Sequence, residues 1–197
     1  MAYELIAAVD LGSNSFRLQV GRVVASQIYP LDGLKESVRL AAGLTADKRL
    51  DTTSQQRGIE ALSRFAERLR DFAPGAVRAV ATNTLRVAKN AEAFLEKAEA
   101  ALGFPIEVIA GREEARLIYL GVAHTLANPK TRQLVVDIGG GSTEFIIGQN
   151  IDPIRLESLY MGCVVFSLRF FPEGRVDKRS FKEAELAARR ELQREHA

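Results

Sequence analysis

The sequence contains no tryptophan, one cysteine and two histidines among its 197 residues. The single cysteine, Cys163, cannot form a disulfide within the chain, which is typical of proteins from a reducing compartment, and its apolar neighbours predict a buried side chain. Aromatic residues make up 7% of the chain, and the formal net charge is +2. Both values are too low for a stacking platform or a basic surface that would bind nucleic acid. We therefore predict neither DNA nor RNA as a partner.

Long hydrophobic runs are also absent. No run approaches the roughly 20 apolar residues that a membrane-spanning helix needs. Residues 1–6 lack the basic segment and apolar core of a secretory signal. We therefore predict a cytoplasmic protein, with a peripheral location at the inner membrane as the alternative. The chain is 47% hydrophobic and 26% charged, so it can bury a core without disulfides or a structural metal.

The spacing of apolar residues predicts alternating strands and helices. Up to about residue 40 the spacing has the period of two that strands show, whereas from Thr52 it becomes helical, and Pro74 stops that helix. The predicted strands cover residues 6–9, 16–21, 77–81 and 106–109, with a third strand of the first group over residues 24–29 or 37–40. Two further helices are predicted over residues 91–102 and 112–126.

The pattern at the start of the chain returns near its middle. Residues 134–139 repeat the pattern of residues 7–12, and an ungapped alignment at an offset of 127 matches five of the thirteen positions that begin with Val9. The matched pairs are Val9/Val136, Asp10/Asp137, Gly12/Gly139, Ser15/Ser142 and Gly21/Gly148. Most of them are Asp, Gly or Ser, residues that turns require for defined physical reasons. The repeat therefore predicts two similarly built lobes.

We predict that the first lobe covers residues 1–127 and the second covers residues 128–197. Residues 128–131, polar and containing a proline, are the predicted linker. The second copy would consist of a hairpin, a strand and two helices. Its later elements are predicted over residues 154–159, 164–170 and from 178 to the end. Because the first copy has more elements, we expect the second lobe to be an incomplete, truncated copy.

Each copy carries a turn with the chemistry of a phosphate-binding loop. A strand that ends in Asp and turns through Gly and Ser exposes successive backbone N–H groups to an anion. Glycine lets a phosphate oxygen approach the backbone, and hydroxyl groups add donors. The candidate phosphate-binding residues are Ser13, Asn14 and Ser15 in the first turn, and Gly139, Gly140, Gly141, Ser142 and Thr143 in the second. One such turn could be an ordinary hairpin; two favour a two-sided phosphate clamp.

Acidic and basic residues near these turns add a metal site and a phosphate contact. Asp10 and Asp137 end their strands, where a carboxylate suits Mg²⁺ bound directly or through water. Arg86 follows a strand and a threonine-rich turn, so its guanidinium could bind a phosphate, or it could be a surface arginine at a helix start. Glu113 and Glu114 could likewise be acids that complement a helix dipole.

The paired turns resemble the phosphate motifs of the acetate kinase, sugar kinase, Hsp70 and actin superfamily. Within it, the chain resembles the exopolyphosphatase and guanosine pentaphosphate phosphohydrolase family. The segments that carry the resemblance are residues 8–16, 81–86, 111–119, 136–144 and 161–164. The resemblance implies an α/β fold: a ribonuclease H-like (actin/Hsp70-type) lobe with a mixed sheet and flanking helices, followed by an incomplete second copy.

The resemblance also implies roles for individual residues. Glu114 matches a glutamate that positions or deprotonates the attacking water, and Asp137 and Glu144 match acidic positions associated with Mg²⁺. Because these two acids are seven residues apart, they must meet across the turn of the hairpin. Arg17 stands at the position of Glu144 in the first copy, so we expect the metal to lie nearer the second turn.

The function implied is a Mg²⁺-dependent exopolyphosphatase that releases terminal orthophosphate from inorganic polyphosphate. The close alternative is hydrolysis of the 5′ phosphate of guanosine pentaphosphate, an alarmone of the stringent response. The three glycines 139–141 favour the former, because pentaphosphate hydrolases often resemble Gly-Gly-Ala there. From other classes, a superfamily kinase or ATPase would need an adenosine pocket that this chain lacks, and a non-catalytic polyphosphate- or alarmone-binding fragment stays open. For the full-length form the resemblance implies a homodimer.

Overall fold

A computed structural model describes residues 3–25, 27–126 and 131–194. The chain forms two compact units, Met1–Ile109 and Ala110–Ala197. Three of the four residues of the predicted linker, 128–130, lie outside the described residues.

The first unit is built around a sheet of five strands. The strands are β1 (Leu5–Leu11), β2 (Phe16–Val24), β3 (Gln27–Glu36), β4 (Val77–Ala81) and β5 (Ile106–Val108). The helices are α1 (Thr52–Leu69), α2 (Asn83–Val87) and α3 (Ala91–Leu102), with 3₁₀ turns at Leu40–Gly43 and Pro74–Ala76. The strand order is β3-β2-β1-β4-β5, antiparallel from β1 to β3 and parallel among β1, β4 and β5. This mixed sheet confirms the predicted ribonuclease H-like lobe.

One face of this sheet carries the core of the first unit. Alternation along β1 and β2 places Val9, Leu11, Phe16 and Leu18 on that face, where all are buried. Helices α1 and α3 pack there, and their apolar stripes join the same cluster. Helix α1 begins where predicted because the side chain of Asp51 accepts a hydrogen bond from the backbone N–H of Ser54.

A third strand is present, but its predicted bounds are wrong: only residues 27–29 of the first alternative lie in it, and residues 37–40 do not. Strand β3 covers Gln27–Glu36, and residues 37–40 lead into the 3₁₀ turn, with Arg39 in the left-handed region at φ 51°. Strand β3 lies at the edge of the sheet and is largely exposed on both faces. No apolar alternation therefore marks it in the sequence.

The second unit begins with a helix and continues as an antiparallel sheet. Its strands are β6 (Gln133–Ile138), β7 (Thr143–Gln149) and β8 (Asp152–Leu159), in the order β6-β7-β8. Its helices are α4 (Gly111–Thr125), α5 (Cys163–Phe170) and α6 (Lys178–Arg194). The last three residues, to which the sequence extended the final helix, lie outside the described residues. Across the described ranges, no helix combines the length and apolar character needed to cross a membrane.

The boundary between the two units lies before helix α4, whereas the sequence predicts it after that helix. The prediction assigned residues up to 127 to the first lobe, but α4 packs against β7 and β8, and the second unit begins at Ala110. Tyr119 of α4 is fully buried beside Gly148, and its hydroxyl donates to the backbone carbonyl of Asn150 at 3.0 Å. A proline-containing segment indicates a linker but not which sheet the preceding helix covers.

The strand registers confirm the internal repeat. In the first sheet the pairing of β2 with β3 shifts between Val20 and Gly21, and in the second the pairing of β7 with β8 shifts between Ile147 and Gly148. The two irregularities are 127 residues apart, as the alignment requires. Within the described residues, the second copy repeats the three antiparallel strands and has no counterpart of β4 or β5.

Candidate functional site

Three polar side chains form one row across the second sheet. Asp137 on β6 pairs with Glu144 on β7, and Glu144 pairs with Ser158 on β8. Residues directly opposite each other in an antiparallel sheet project to the same face. The prediction that Asp137 and Glu144 meet across the hairpin is therefore confirmed. The next row of this face, Val135, Ile146 and Leu156, packs against α4.

Glu144 is a buried acid at the centre of this row. It is 1% exposed, and the hydroxyl of Ser158 donates to its Oε1 at 2.8 Å. Burial raises the pKa of Glu144, and the negative charges of Glu114 and Asp137 raise it further, whereas hydrogen bonds from Ser158 and Ser142 oppose this shift. Glu114, Asp137 and Glu144 thus form one electrostatically coupled group, the acidic cluster.

The two glutamates in the first turn of α4 have different surroundings. Glu113 accepts two hydrogen bonds from the guanidinium of Arg116, at 2.7 and 2.8 Å, and this pairing lowers the pKa of Glu113. The charge of Glu114 instead acts on buried Glu144. Either glutamate could complement the dipole of helix α4. Glu114 differs from Glu113 because its charge acts on the buried Glu144.

The donor set of the acidic cluster suits a hard cation. Mg²⁺ prefers carboxylate oxygens and keeps several of its waters, so one or two protein carboxylates are enough. Asp137 and Glu144, on adjacent strands and on one face, could supply these two. Among the described residues, no group of three or more His, Cys, Asp or Glu side chains could hold a metal ion. The predicted third ligand, Asp10, belongs to the first unit, and its role stays a prediction.

Helix α5 determines how the glycine-rich turn is oriented. The N–H of Cys163 donates to the carbonyl of Gly139 at 2.9 Å, and those of Val164 and Val165 donate to the carbonyl of Gly140 at 3.0 and 3.2 Å. In a trans peptide the N–H points opposite to the carbonyl of the same plane. The N–H groups of Gly140 and Gly141 therefore point away from α5, as a turn that binds phosphate through its backbone requires.

Gly162 allows this approach between α5 and the turn. A Cβ on Gly162 would lie 2.4 Å from both the carbonyl carbon of Gly140 and the nitrogen of Gly141. The turn itself is closed by a hydrogen bond from the N–H of Gly139 to the carbonyl of Ser142 at 2.9 Å. The backbone of the turn is thus constrained from two sides.

The hydroxyls that follow the turn are directed into the protein. Ser142 and Thr143 are buried. The hydroxyl of Thr143 donates to the carbonyl of Met161, and that of Ser142 bonds to Glu144. The sequence analysis predicts that both hydroxyls donate hydrogen bonds to phosphate, and that role stays a prediction. In the structure Gly139 and Gly140 are the partly exposed residues of this turn, whereas Gly141 is buried.

The first turn has the same strand pairing but different chemistry. Asp10 pairs with Arg17, so Arg17 occupies the place of Glu144, as the repeat predicted. Ser13 is buried and accepts a hydrogen bond from the hydroxyl of Thr84 at 2.8 Å, whereas Asn14 is exposed. Ser15 is partly exposed. Their predicted role as phosphate donors is open.

Arg86 lies in the short helix α2, where the sequence predicted a threonine-rich turn followed by the start of a helix as one alternative. Its Nη1 donates to the backbone carbonyl of Ile109 at 2.9 Å, which holds the guanidinium beside the residue that follows β5. The side chain is partly buried. The structure thus orients Arg86, and its binding to phosphate remains a prediction.

Sequence reasoning missed Ser158, and it gave Gly162 no role beyond its place in the segment 161–164. A serine in a strand and a glycine before a helix are too common to stand out, and only the register and the helix approach reveal them. The buried position predicted for Cys163 is wrong, because this first residue of α5 is exposed. Its apolar neighbours suggested burial, but the start of a helix leaves its first side chain open to solvent.

Comparison with known proteins identifies the family. Residues 19–196 match the model of the Ppx/GppA phosphatase family. A solved exopolyphosphatase-like protein is 29% identical with a TM-score of 0.88, over 96% of this chain and 60% of that chain. The PPX-GPPA enzyme of Aquifex aeolicus is 31% identical with a TM-score of 0.77, over 96% of this chain and 63% of that one.

An exopolyphosphatase from Cytophaga hutchinsonii is 29% identical with a TM-score of 0.80, over 85% of this chain and 54% of its own. The chain therefore spans between 54% and 63% of the length of these three structures. The match over nearly the whole chain confirms the resemblance inferred from the motifs. The protein belongs to the Ppx/GppA phosphatase family.

Proposed function

We propose that the protein hydrolyses terminal phosphoanhydride bonds, with inorganic polyphosphate as its substrate. The observation that carries the proposal is the acidic cluster beside a turn whose backbone N–H groups point away from α5. Hydrolysis of a phosphoanhydride needs a group that positions water, a way to neutralise charge and donors that hold the phosphate. The second unit supplies residues suited to the first and third needs. Arg86, in the first unit, is a separately predicted phosphate contact.

In this proposal Glu114 positions the attacking water and accepts its proton. The water oxygen forms a bond to the terminal phosphorus, the bond from phosphorus to the bridging oxygen breaks, and orthophosphate leaves a chain shorter by one phosphate. The backbone N–H groups of Gly140 and Gly141 bind phosphate oxygens. The guanidinium of Arg86 suits a phosphate, and its contact with one stays a prediction. Asp137 and Glu144 would hold a Mg²⁺ ion, which when bound neutralises charge on the phosphates.

The test compares two glutamates that are adjacent in sequence. Glu114→Gln should lower kcat for orthophosphate release from polyphosphate by about 100- to 10,000-fold, the usual contribution of a positioned base, with little change in polyphosphate binding. Glu113→Gln removes the same charge from the same helical turn but only breaks an exposed pair with Arg116. It should keep nearly wild-type turnover. Equal losses in both variants, or none in Glu114→Gln, would overturn the assignment of the base.

Substrate preference is tested by kcat/KM with Mg²⁺ for polyphosphate and for guanosine pentaphosphate. We expect polyphosphate to be preferred, because residues 139–141 are three glycines where pentaphosphate hydrolases often resemble Gly-Gly-Ala. A clear preference for the nucleotide would favour the pentaphosphate hydrolase instead. Tight binding of either compound without turnover would identify a non-catalytic binding protein.

A further inference from the structure

Ser158 lies where its hydroxyl can orient the carboxylate of Glu144, the central residue of the acidic cluster. In β8 it pairs directly with Glu144, and its neighbours Glu157 and Leu159 project to the opposite face. Its hydroxyl donates to Oε1 of Glu144 at 2.8 Å. The contact therefore joins two adjacent strands through side chains.

Glu144 depends on such contacts for its orientation. Its side chain is almost wholly buried, so water cannot supply the hydrogen bonds that a carboxylate needs. Hydroxyls approach from two places: Ser158 from the next strand, and Ser142 from the start of the same hairpin arm. One donor from strand β8 and one from the turn before β7 restrict the rotation of the carboxylate more than either one would alone.

The internal repeat shows that the sheet itself does not require this serine. In the first unit the corresponding row is Asp10, Arg17 and Lys35, and the central residue pairs with a lysine. The same meander thus forms with other side chains at these positions. A serine pairs with the central residue of the row in the second unit, where that residue is the buried Glu144, and not in the first unit, where it is Arg17. This difference indicates that the function of Ser158 is linked to Glu144.

We propose that Ser158 is a positioning residue that holds the Glu144 carboxylate in the orientation in which it and Asp137 bind a divalent cation. The inference rests on the metal-binding part of the proposed function. Ligating carboxylates are commonly oriented by hydrogen bonds from outside the ligand set, and losing such a bond costs about 10- to 100-fold in metal affinity. In this role Ser158 acts through Glu144, to which its hydroxyl donates.

The test is direct titration of the protein with Mn²⁺, followed by electron paramagnetic resonance of the free ion. Ser158→Ala should weaken Mn²⁺ binding by about 10- to 100-fold, whereas Ser158→Thr, which keeps the hydroxyl, should restore most of it. Ser158→Cys, close in size but a weak donor, should resemble the alanine variant. Ser63→Ala is the matched control, because the Ser63 hydroxyl donates to the carbonyl of Ile59 within helix α1 of the first unit.

Kinetics add a measurement that a purely structural role would not affect. In Ser158→Ala the Mg²⁺ concentration for half-maximal hydrolysis should rise, while kcat at saturating Mg²⁺ returns close to the wild-type value. Thermal melts in EDTA establish that each variant is folded, and if the alanine variant is not, the cysteine variant decides the question.

The outcomes separate this inference from the proposed function. If the wild type binds Mn²⁺ but hydrolyses no polyphosphate, the proposed function fails, and the metal affinities still decide the role of Ser158. If the wild type hydrolyses polyphosphate and Ser158→Ala binds Mn²⁺ normally, the positioning role is overturned alone. If the wild type binds no Mn²⁺, both the positioning role of Ser158 and the metal-binding part of the proposed function are overturned.

Discussion

At the scale of single residues, Glu144 is a buried acid whose pKa is raised in the folded protein. It lies in the interior beside two other acids, and burial is the main cause of its raised pKa. An acid whose pKa is higher in the folded than in the unfolded state favours folding in its protonated form. Its contribution to stability is therefore fully present below the unfolded pKa, near 4.5, and is lost as pH rises through the folded value.

Glu144→Gln should remove this pH dependence. In EDTA, the variant should be more stable than the wild type at neutral pH, because an amide has no charge to bury, and the difference should shrink as pH falls toward 4.5. Thermal melts from about pH 4, near the unperturbed pKa of a glutamate, to about pH 8 measure this difference in stability. A wild-type advantage that grows as pH rises would contradict the sign.

Gly162→Ala tests the contact between α5 and the glycine-rich turn. A Cβ there would lie 2.4 Å from backbone atoms of Gly140 and Gly141, which cannot move as a flexible side chain could. We expect a loss of about 1–3 kcal/mol in the free energy of unfolding, typical of overpacking, and a higher KM for polyphosphate because the turn shifts. Denaturant unfolding and steady-state kinetics measure the two effects.

Gly121→Ala is the matched control for that substitution. Gly121 lies within helix α4 of the same unit, and a Cβ there would meet nothing within 4 Å. Alanine should raise the free energy of unfolding by about 0.4–1 kcal/mol and leave KM unchanged. If Gly162→Ala were as stable as Gly121→Ala, the backbone of Gly140 and Gly141 could move away without loss of stability, and the predicted constraint would be wrong.

At the scale of elements, helix α4 provides both Glu114 and the cover of the second sheet. Its periodicity predicted a helix over residues 112–126, close to the observed Gly111–Thr125. Periodicity also indicated which residues share a face, but not which sheet that face would cover. Tyr119 and Gly148 settle this point, because the tyrosine ring occupies the space that a side chain at position 148 would need.

Gly148→Ala should therefore destabilise the second unit. The new Cβ would lie 2.2 Å from Cζ of Tyr119, a ring that is buried and hydrogen-bonded to Asn150. We expect a cost of about 1–3 kcal/mol in the free energy of unfolding. In a Tyr119→Leu background the cost should largely disappear, and a double-mutant cycle measures this coupling. Additive effects of the two substitutions would contradict the contact.

At the scale of the whole molecule, the two copies of the repeat differ in how one sheet face is covered. In the first unit Ala7, Val9 and Leu11 are at most 5% exposed, because α1 and α3 pack on their face. The residues 127 positions later, Leu134, Val136 and Ile138, are 63%, 43% and 67% exposed. Three neighbouring apolar side chains on one strand leave a patch of the kind that promotes association.

This patch should make the chain bind a hydrophobic dye and self-associate at high concentration. Leu134→Lys combined with Ile138→Lys should reduce both, because charged side chains on an exposed strand oppose strand-to-strand pairing. Dye fluorescence and analytical ultracentrifugation measure the change. Val24→Lys with Ile28→Lys, at exposed positions of the first unit, is the control pair. If the control pair had the larger effect, the patch on β6 would not be the main source of association.

The sequence by itself determined most of the strands and helices, the repeat and the family, because periodicity, turn residues and short motifs are local properties. It also determined that Asp137 and Glu144 face each other, since a short hairpin leaves little choice of register. It did not determine the bounds of β3 or the short helix α2. Tertiary structure alone decided that α4 belongs with the second sheet, that Ser158 bonds to Glu144 and that Ser142 and Thr143 turn inward. Each of these depends on which distant segments pack together, and free energy of packing is summed over contacts that no single stretch of sequence contains.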